Sequence, residues 1–149
     1  MLQTRPVGTV AQNLDIYPNG HLFYKPDGQE DAWIEIPFEI EKKEPLRLLL
    51  VMTRSYDYGE YQAYLDGIKL GGVMDLYGSG ISTREYHLLD FWPDPGKYKL
   101  RLECIGKNPI SGSYYLGIES VRLRQRRPRV SQYRHDIDKD WRKNPILYE

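Results

Sequence analysis

From Lys97 to Cys104 apolar and polar residues alternate without a break, with Tyr98, Leu100, Leu102 and Cys104 on one parity and Lys97, Lys99, Arg101 and Glu103 on the other. Side chains of a strand point to opposite faces in turn, so this segment is a strand with one face in an apolar core and its cations in solvent. A second segment repeats the pattern, setting Ile34, Ile36, Phe38 and Ile40 against Trp33, Glu35, Pro37 and Glu39. Pro37 has no N–H to give to a ladder, which predicts a strand at a sheet border. Leu46 to Thr53 is apolar on both parities. That is the composition of a central strand covered on both sides, and it is the expected middle of the core.

Turn chemistry orders these strands. Tyr61 to Leu65 and Ile68 to Leu70 flank Asp66-Gly67, the dipeptide that closes a tight hairpin. From Leu116 to Leu123 the apolar phase slips, Leu116 and Ile118 lying on one parity and Val121 and Leu123 on the other. A one-residue bulge near Glu119 and Ser120 accounts for the slip. Turn signals recur at Pro18-Asn19-Gly20, Pro26-Asp27-Gly28, Pro93-Asp94-Pro95-Gly96 and Asn108-Pro109, and no stretch before Arg126 keeps a helical period. The prediction is an all-β fold, an antiparallel β-sandwich of many short strands.

A chain of 149 residues is one ordinary domain. We expect the sandwich over residues 1–125 and a basic C-terminal extension over 126–149. Lys plus Arg and Asp plus Glu both number 21, yet residues 122–149 hold nine basic against four acidic side chains, a local net charge of +5. The extension reads as a strap that packs Trp141, Ile146, Leu147 and Tyr148 on an acidic sandwich, with one helical turn across Asp136 to Lys143 before Asn144-Pro145. No nucleic-acid-binding motif accompanies the charge, so no nucleic-acid partner is expected. Nor is a membrane partner, because no apolar run approaches the ~20 residues a spanning helix needs. Cys104 is the sole cysteine, so hydrophobic burial must supply the stability. The segment MLQTRPVGTV lacks a signal-peptide progression. The expected location is extracellular or periplasmic with a signal outside this sequence, and cytoplasmic is the alternative.

Catalytic apparatus is missing. His21, His87 and His135 lie in unrelated contexts, and no G-x-S-x-G elbow occurs. Gly71-Gly72 and Gly78-Ser79-Gly80 have neither the lysine nor the strand-loop-helix setting of a phosphate loop, and read as turns. No cofactor is expected. Structural calcium is left open on Asp57, Asp66 and Asp75, although no D-x-D-x-D-G loop organises them. Glu35, Glu39 and Glu103 read as a solvated strand face.

Aromatic side chains are abundant instead: thirteen Tyr, three Trp and three Phe, with Tyr56, Tyr58, Tyr61 and Tyr64 crowded around one hairpin. A tyrosine ring offers a flat face to the C–H surface of a sugar and a hydroxyl to its polar edge. We therefore single out Tyr56 and Tyr58 as the preferred stacking platform, with Trp33 and Tyr64 as further rings on the polar strand faces. Arg54, Asp75 and Asn108 are the expected partners of sugar hydroxyls. The loops at residues 54–60, 78–85 and 106–114 are the favoured address.

The stretch YQAYLDGIKLGGVMDLY, Tyr61 to Tyr77, followed by GKYKLRLECIGKNPISGSYYLGIESVRL, Gly96 to Leu123, resembles a non-catalytic β-sandwich domain that accompanies bacterial glycoside hydrolases. It is similar to the carboxyl-terminal jelly-roll region of the difructose-anhydride and fructofuranosidase type. The resemblance implies a jelly roll like those of carbohydrate-binding modules. It carries over no catalytic residue. Three functions follow in order: a carbohydrate-binding or accessory module of bacterial polysaccharide degradation, a structural module that binds copies of itself or an adjoining catalytic domain, and a small glycoside hydrolase whose carboxylates converge only in space.

Overall fold

The computed structural model describes residues 3–5, 22–24, 26, 32–126 and 146–147. Ten strands follow in chain order: β1 (Gln3–Arg5), β2 (Leu22–Tyr24), β3 (Trp33–Ile40), β4 (Leu46–Arg54), β5 (Glu60–Leu65), β6 (Ile68–Asp75), β7 (Ser82–Phe91), β8 (Gly96–Gly106), β9 (Leu116–Gln125) and β10 (Ile146–Leu147). They form two five-stranded sheets, ordered β1-β3-β8-β5-β6 and β10-β7-β4-β9-β2. Every strand pair is antiparallel. The fold is an all-β sandwich of the jelly-roll kind. No helix is present among the described residues.

The alternating segments supply the facing surfaces. In β8, Tyr98, Leu100, Leu102 and Cys104 are all buried, while Lys97 and Lys99 stand in solvent. Ile34 and Ile40 of β3 join the same core, and Phe38 stacks on its cross-strand partner Tyr98 with ring centres 5.8 Å apart. β1 pairs only with Trp33 to Glu35. The border expectation thus holds for the Pro37 half of β3, where the ladder on that side stops among the described residues, and fails for the half that β1 covers. β4 lies between β7 and β9, and Leu46, Leu48, Leu50 and Met52 point into the core while Leu49 and Val51 are buried on the other face. It is the middle strand of its sheet.

The turn and the bulge fall where the sequence sets them. Asp66 (φ 47°) and Gly67 (φ 83°) both occupy the left-handed region that a two-residue hairpin requires. Asp66 also fixes the hairpin to β8, its Oδ1 accepting the Lys99 amide at 2.9 Å. In β9, Ser120 pairs with Val51 and Ile118 with Met52, so Glu119 is the extra residue. A second bulge lies in β7, where Leu89 opposes Leu48 and His87 opposes Leu49, leaving Leu88 over. Both Leu88 and Leu89 are buried.

Among the described residues of the carboxyl end, Ile146 and Leu147 pair with the sandwich. Ile146 pairs with Asp90 and Leu147 with Leu89. Arg126, the last described residue before the return, donates its amide to the Pro45 carbonyl and its Nε to the Leu46 carbonyl at 3.1 Å. The expected helical turn across Asp136 to Lys143, and the side chains of Trp141 and Tyr148, lie outside the described residues.

Candidate functional site

The site begins with an irregularity in β6. Leu70 pairs with Ala63 and Met74 with Tyr61, so Gly71, Gly72 and Val73 stand opposite Gln62 alone. The backbone buckles, with Gly71 at φ 63°. Carbonyls lost from the ladder need other donors. The Gln62 amide supplies them, its Nε2 lying 2.9 Å from the Leu70 carbonyl, 3.2 Å from that of Gly71 and 3.3 Å from that of Ala63. Gln62 is accordingly buried at 3% exposure, although strand parity sets it among solvated residues. Gly71-Gly72 is a bulge inside a strand and not the turn expected, because Gln62 holds the carbonyls that a turn would leave to water.

Across from this bulge runs the first half of β7. Arg84 pairs with Met52, Tyr86 with Leu50 and Ser82 with Arg54, all on the face that turns toward the other sheet. Aliphatic side chains would close the sandwich at this edge. Here one wall carries arginine and tyrosine and the other is glycine, and a cleft of about 350 Å³ opens between β6 and β7. Arg54, Gly72, Asp75, Arg84 and Tyr86 line it, with Leu88 among its apolar wall. At Gly72 an added Cβ meets no atom within 4 Å.

Two polar atoms of the lining are shielded from solvent, Arg54 Nε and the Tyr86 hydroxyl, the latter interacting with Arg84. The Arg84 guanidinium lies over the Tyr86 ring, 4.7 Å from its centre. Burial holds the Tyr86 phenol above the ordinary tyrosine range, the charges of Arg84 and Arg54 pull it back, and Asp75 adds to the rise. These groups therefore act on one another electrostatically across the cleft.

Arg54 and Asp75 connect the cleft to the loops at one end of the sandwich. Arg54 Nη2 donates to the Tyr77 carbonyl at 2.8 Å, and Asp75 Oδ1 accepts the Tyr77 amide at 3.0 Å. Asp75 Oδ2 accepts from Asn108 Nδ2 at 3.1 Å, and Asn108 Oδ1 in turn accepts the Ile110 amide. Gly59 sits where a Cβ would come within 3.1 Å of the Gly106 carbonyl and the Tyr114 Cα, which lets the loops close on one another.

The candidate residues named from the sequence are divided by this arrangement. Arg54 and Asp75 line the cleft, and Asn108 holds Asp75 from outside it. The Tyr56 and Tyr58 platform does not exist as a pair: Tyr56 is 63% exposed but Tyr58 is 5% exposed, sunk in the core where it bridges to Tyr115. Loop residues lose the two-residue alternation, so one of two near neighbours turned inward. Trp33 is half-buried on the outer face of its sheet beneath the Arg101 guanidinium, and Tyr64 pairs with Arg101 on that same face. Neither ring lines the cleft. Among the described residues no group of three or more His, Cys, Asp or Glu side chains is placed to hold a metal ion. Asp66 lies at the opposite end of β5 from Asp57 and Asp75, which separates the three carboxylates considered for calcium. Arg84, Tyr86 and the Gly71–Val73 bulge were missed. The available signal was a glycine pair inside an otherwise alternating strand, which marks a bulge or a close approach.

No protein-family profile and no curated protein sequence matches the chain. Solved structures do. A Paenibacillus xanthan lyase superposes with a TM-score of 0.70 at 22% identity, over 85% of this chain and 12% of the lyase. A Podospora anserina GH26-CBM35 β-(1,4)-mannanase gives 0.51 at 14% identity, over 87% of this chain and 26% of that one. The CBM36-1 domain of a multidomain xylanase from the hindgut metagenome of Trinervitermes trinervoides gives 0.50 at 13% identity, over 86% of this chain and 98% of the domain. What is shared is the jelly-roll fold of carbohydrate-binding modules. The narrower likeness to the difructose-anhydride and fructofuranosidase type finds no support in these structures.

Proposed function

We propose that this chain is a non-catalytic carbohydrate-binding module, and that saccharide enters the cleft between β6 and β7. One observation carries the reading: an open cleft of about 350 Å³ whose lining gathers Arg54, Asp75, Arg84 and Tyr86 beside the bare backbone of Gly71 and Gly72. Convergent polar side chains in a concave site suit a polyhydroxylated ligand, which brings donors and acceptors at the spacing a sugar ring provides. The likeness of fold to a xanthan lyase segment and to modules of a mannanase and a xylanase supports the same class of ligand. In this reading the module serves bacterial polysaccharide degradation outside the cytoplasm, beside an adjoining catalytic domain. Affinity electrophoresis against xanthan, mannan, xylan and polygalacturonate tests it. Retardation by at least one polymer, abolished by Gly72→Leu in the cleft wall, is expected; retardation that Gly72→Leu leaves unchanged would move the site elsewhere.

A second reading rests on a different observation. Tyr56, Ile81 and Ile110 are 63%, 70% and 69% exposed, and all three belong to loops at one end of the sandwich. Apolar loops of this kind suit burial against a second copy or an adjoining domain. Light scattering of the isolated chain decides between them, since a stable oligomer weakened by Ile81→Asp supports assembly through this end.

A further inference from the structure

Some of the described arginines face carboxylates, and others, Arg54, Arg84, Arg122 and Arg124 among them, do not. Arg47 grips Asp90 with Nε at 2.8 Å and Nη2 at 3.2 Å, Arg126 approaches the same carboxylate at 3.7 Å, and Arg101 lies between Glu103 and Glu35 at 2.8 and 3.5 Å. Each is neutralised within the fold. Arg54 and Arg84 form no ion pair among the described residues. They are diagonal neighbours on one face, since Arg54 pairs with Ser82 and Arg84 with Met52. Two like charges placed side by side repel, and their repulsion is relieved by an anion between them. Asp75 is the one carboxylate of the lining, its oxygens held by the Tyr77 amide and by Asn108, so the cleft sets two guanidiniums against a single carboxylate.

We propose that Arg54 and Arg84 form a carboxylate-recognition pair and that the cleft takes an acidic saccharide, a sugar ring carrying a carboxylate. The proposal rests on the carbohydrate-binding reading and narrows its ligand. Guanidinium presents a planar fork that matches a carboxylate with two parallel N–H···O bonds, which an ammonium cannot do. Arg54 Nη2 is anchored to the Tyr77 carbonyl at 2.8 Å, so its guanidinium is held in place before a ligand arrives. The Arg84 guanidinium lies over the Tyr86 ring, which favours its staying beside the phenol. The carboxylate would sit between the two guanidiniums, and the Tyr86 hydroxyl would donate to a ring or ester oxygen of the same sugar. The opposite wall leaves room for the ring at Gly72, where even an added Cβ would meet no atom within 4 Å.

The test uses the full chain and calorimetric titration with polygalacturonate, alginate and xanthan, each in native form and after carboxyl reduction to the neutral polymer, with mannan and xylan as neutral controls. At least one native acidic polymer is expected to bind, with affinity falling about tenfold or more on carboxyl reduction. Arg84→Gln, at an exposed position and so compatible with folding, is expected to reproduce that loss for the native polymer and to leave the reduced polymer unaffected. Arg84→Lys keeps the charge without the fork and should fall between the two. Equal binding of native and reduced polymers, binding of neutral polymers alone, or indifference to Arg84→Gln overturns the acidic specificity and leaves the carbohydrate-binding reading standing. Failure of a folded sample to bind any of the five polymers overturns both.

Discussion

The guanidinium carbon of Arg101 lies 4.1 Å from the centre of the Trp33 ring, and the same side chain is paired with Glu103 at 2.8 Å. The ring face that a sugar would need is therefore occupied by a cation held in place from its far side. Trp33→Ala should lower stability by about 1 kcal/mol through lost stacking and packing, and should leave polysaccharide affinity within about twofold. Denaturant melts and affinity electrophoresis of the same sample check both halves. A large loss of affinity with unchanged stability would return Trp33 to the binding site.

Gln62 gives the cleft wall its shape. Replacing it with Leu removes the donor that serves the Leu70, Gly71 and Ala63 carbonyls and leaves buried acceptors unsatisfied. The expected cost is about 2–3 kcal/mol, read as a shift of the urea midpoint. Polysaccharide binding should weaken in the same variant at temperatures where it is still folded, because β6 would lose its support at Gly71 and Gly72.

Asp90 is nearly buried between two arginines, Arg47 and Arg126. Asp90→Ala would remove the carboxylate that both guanidiniums face. Because Arg47 keeps 29% of its side chain in solvent, the penalty falls below that of a fully buried pair, at about 2–3 kcal/mol. Thermal melts of Asp90→Ala and Arg47→Ala, combined with the double variant, measure the coupling; additive losses would show that the pair contributes nothing.

Tyr61 sets an alkaline limit. Its ring is wholly buried, its hydroxyl donates to the Tyr114 carbonyl at 2.6 Å, and burial raises the phenol far above its ordinary value. The unfolded chain loses that proton near pH 10 while the folded chain keeps it, so unfolding is favoured as pH rises. The contribution of Tyr61 is intact below pH ~10 and declines above it by up to about 1.4 kcal/mol per pH unit. Stability measured from pH 8 to 11 should fall more steeply in the parent than in Tyr61→Phe, which has no proton to lose at this position.

The parts of the fold legible in the sequence are those fixed by neighbours along the chain. Tyr98 to Cys104 announces its buried face by alternation, Asp66-Gly67 specifies its turn by the φ values both residues adopt, and the displaced phase of Val121 locates the bulge at Glu119. The cleft depends on a relation between strands that pair in different sheets, and no local period encodes which edge of β6 faces which edge of β7. The segment Ser82-Thr83-Arg84-Glu85-Tyr86-His87 is polar on both parities, so it does not disclose that Arg84 and Tyr86 turn inward. Arg54 and Asp75, named as partners of sugar hydroxyls, do line the cleft. The burial of Tyr58 was hidden, because turn geometry and not sequence spacing decides which of Tyr56 and Tyr58 is swallowed by the core.

The two-residue ladder of Ile146 and Leu147 grips β7 at Leu89 and Asp90, while Arg84 and Tyr86 ride on the same strand a few residues away. Any disturbance of that short ladder therefore has a single extended backbone along which to reach Arg84 and Tyr86.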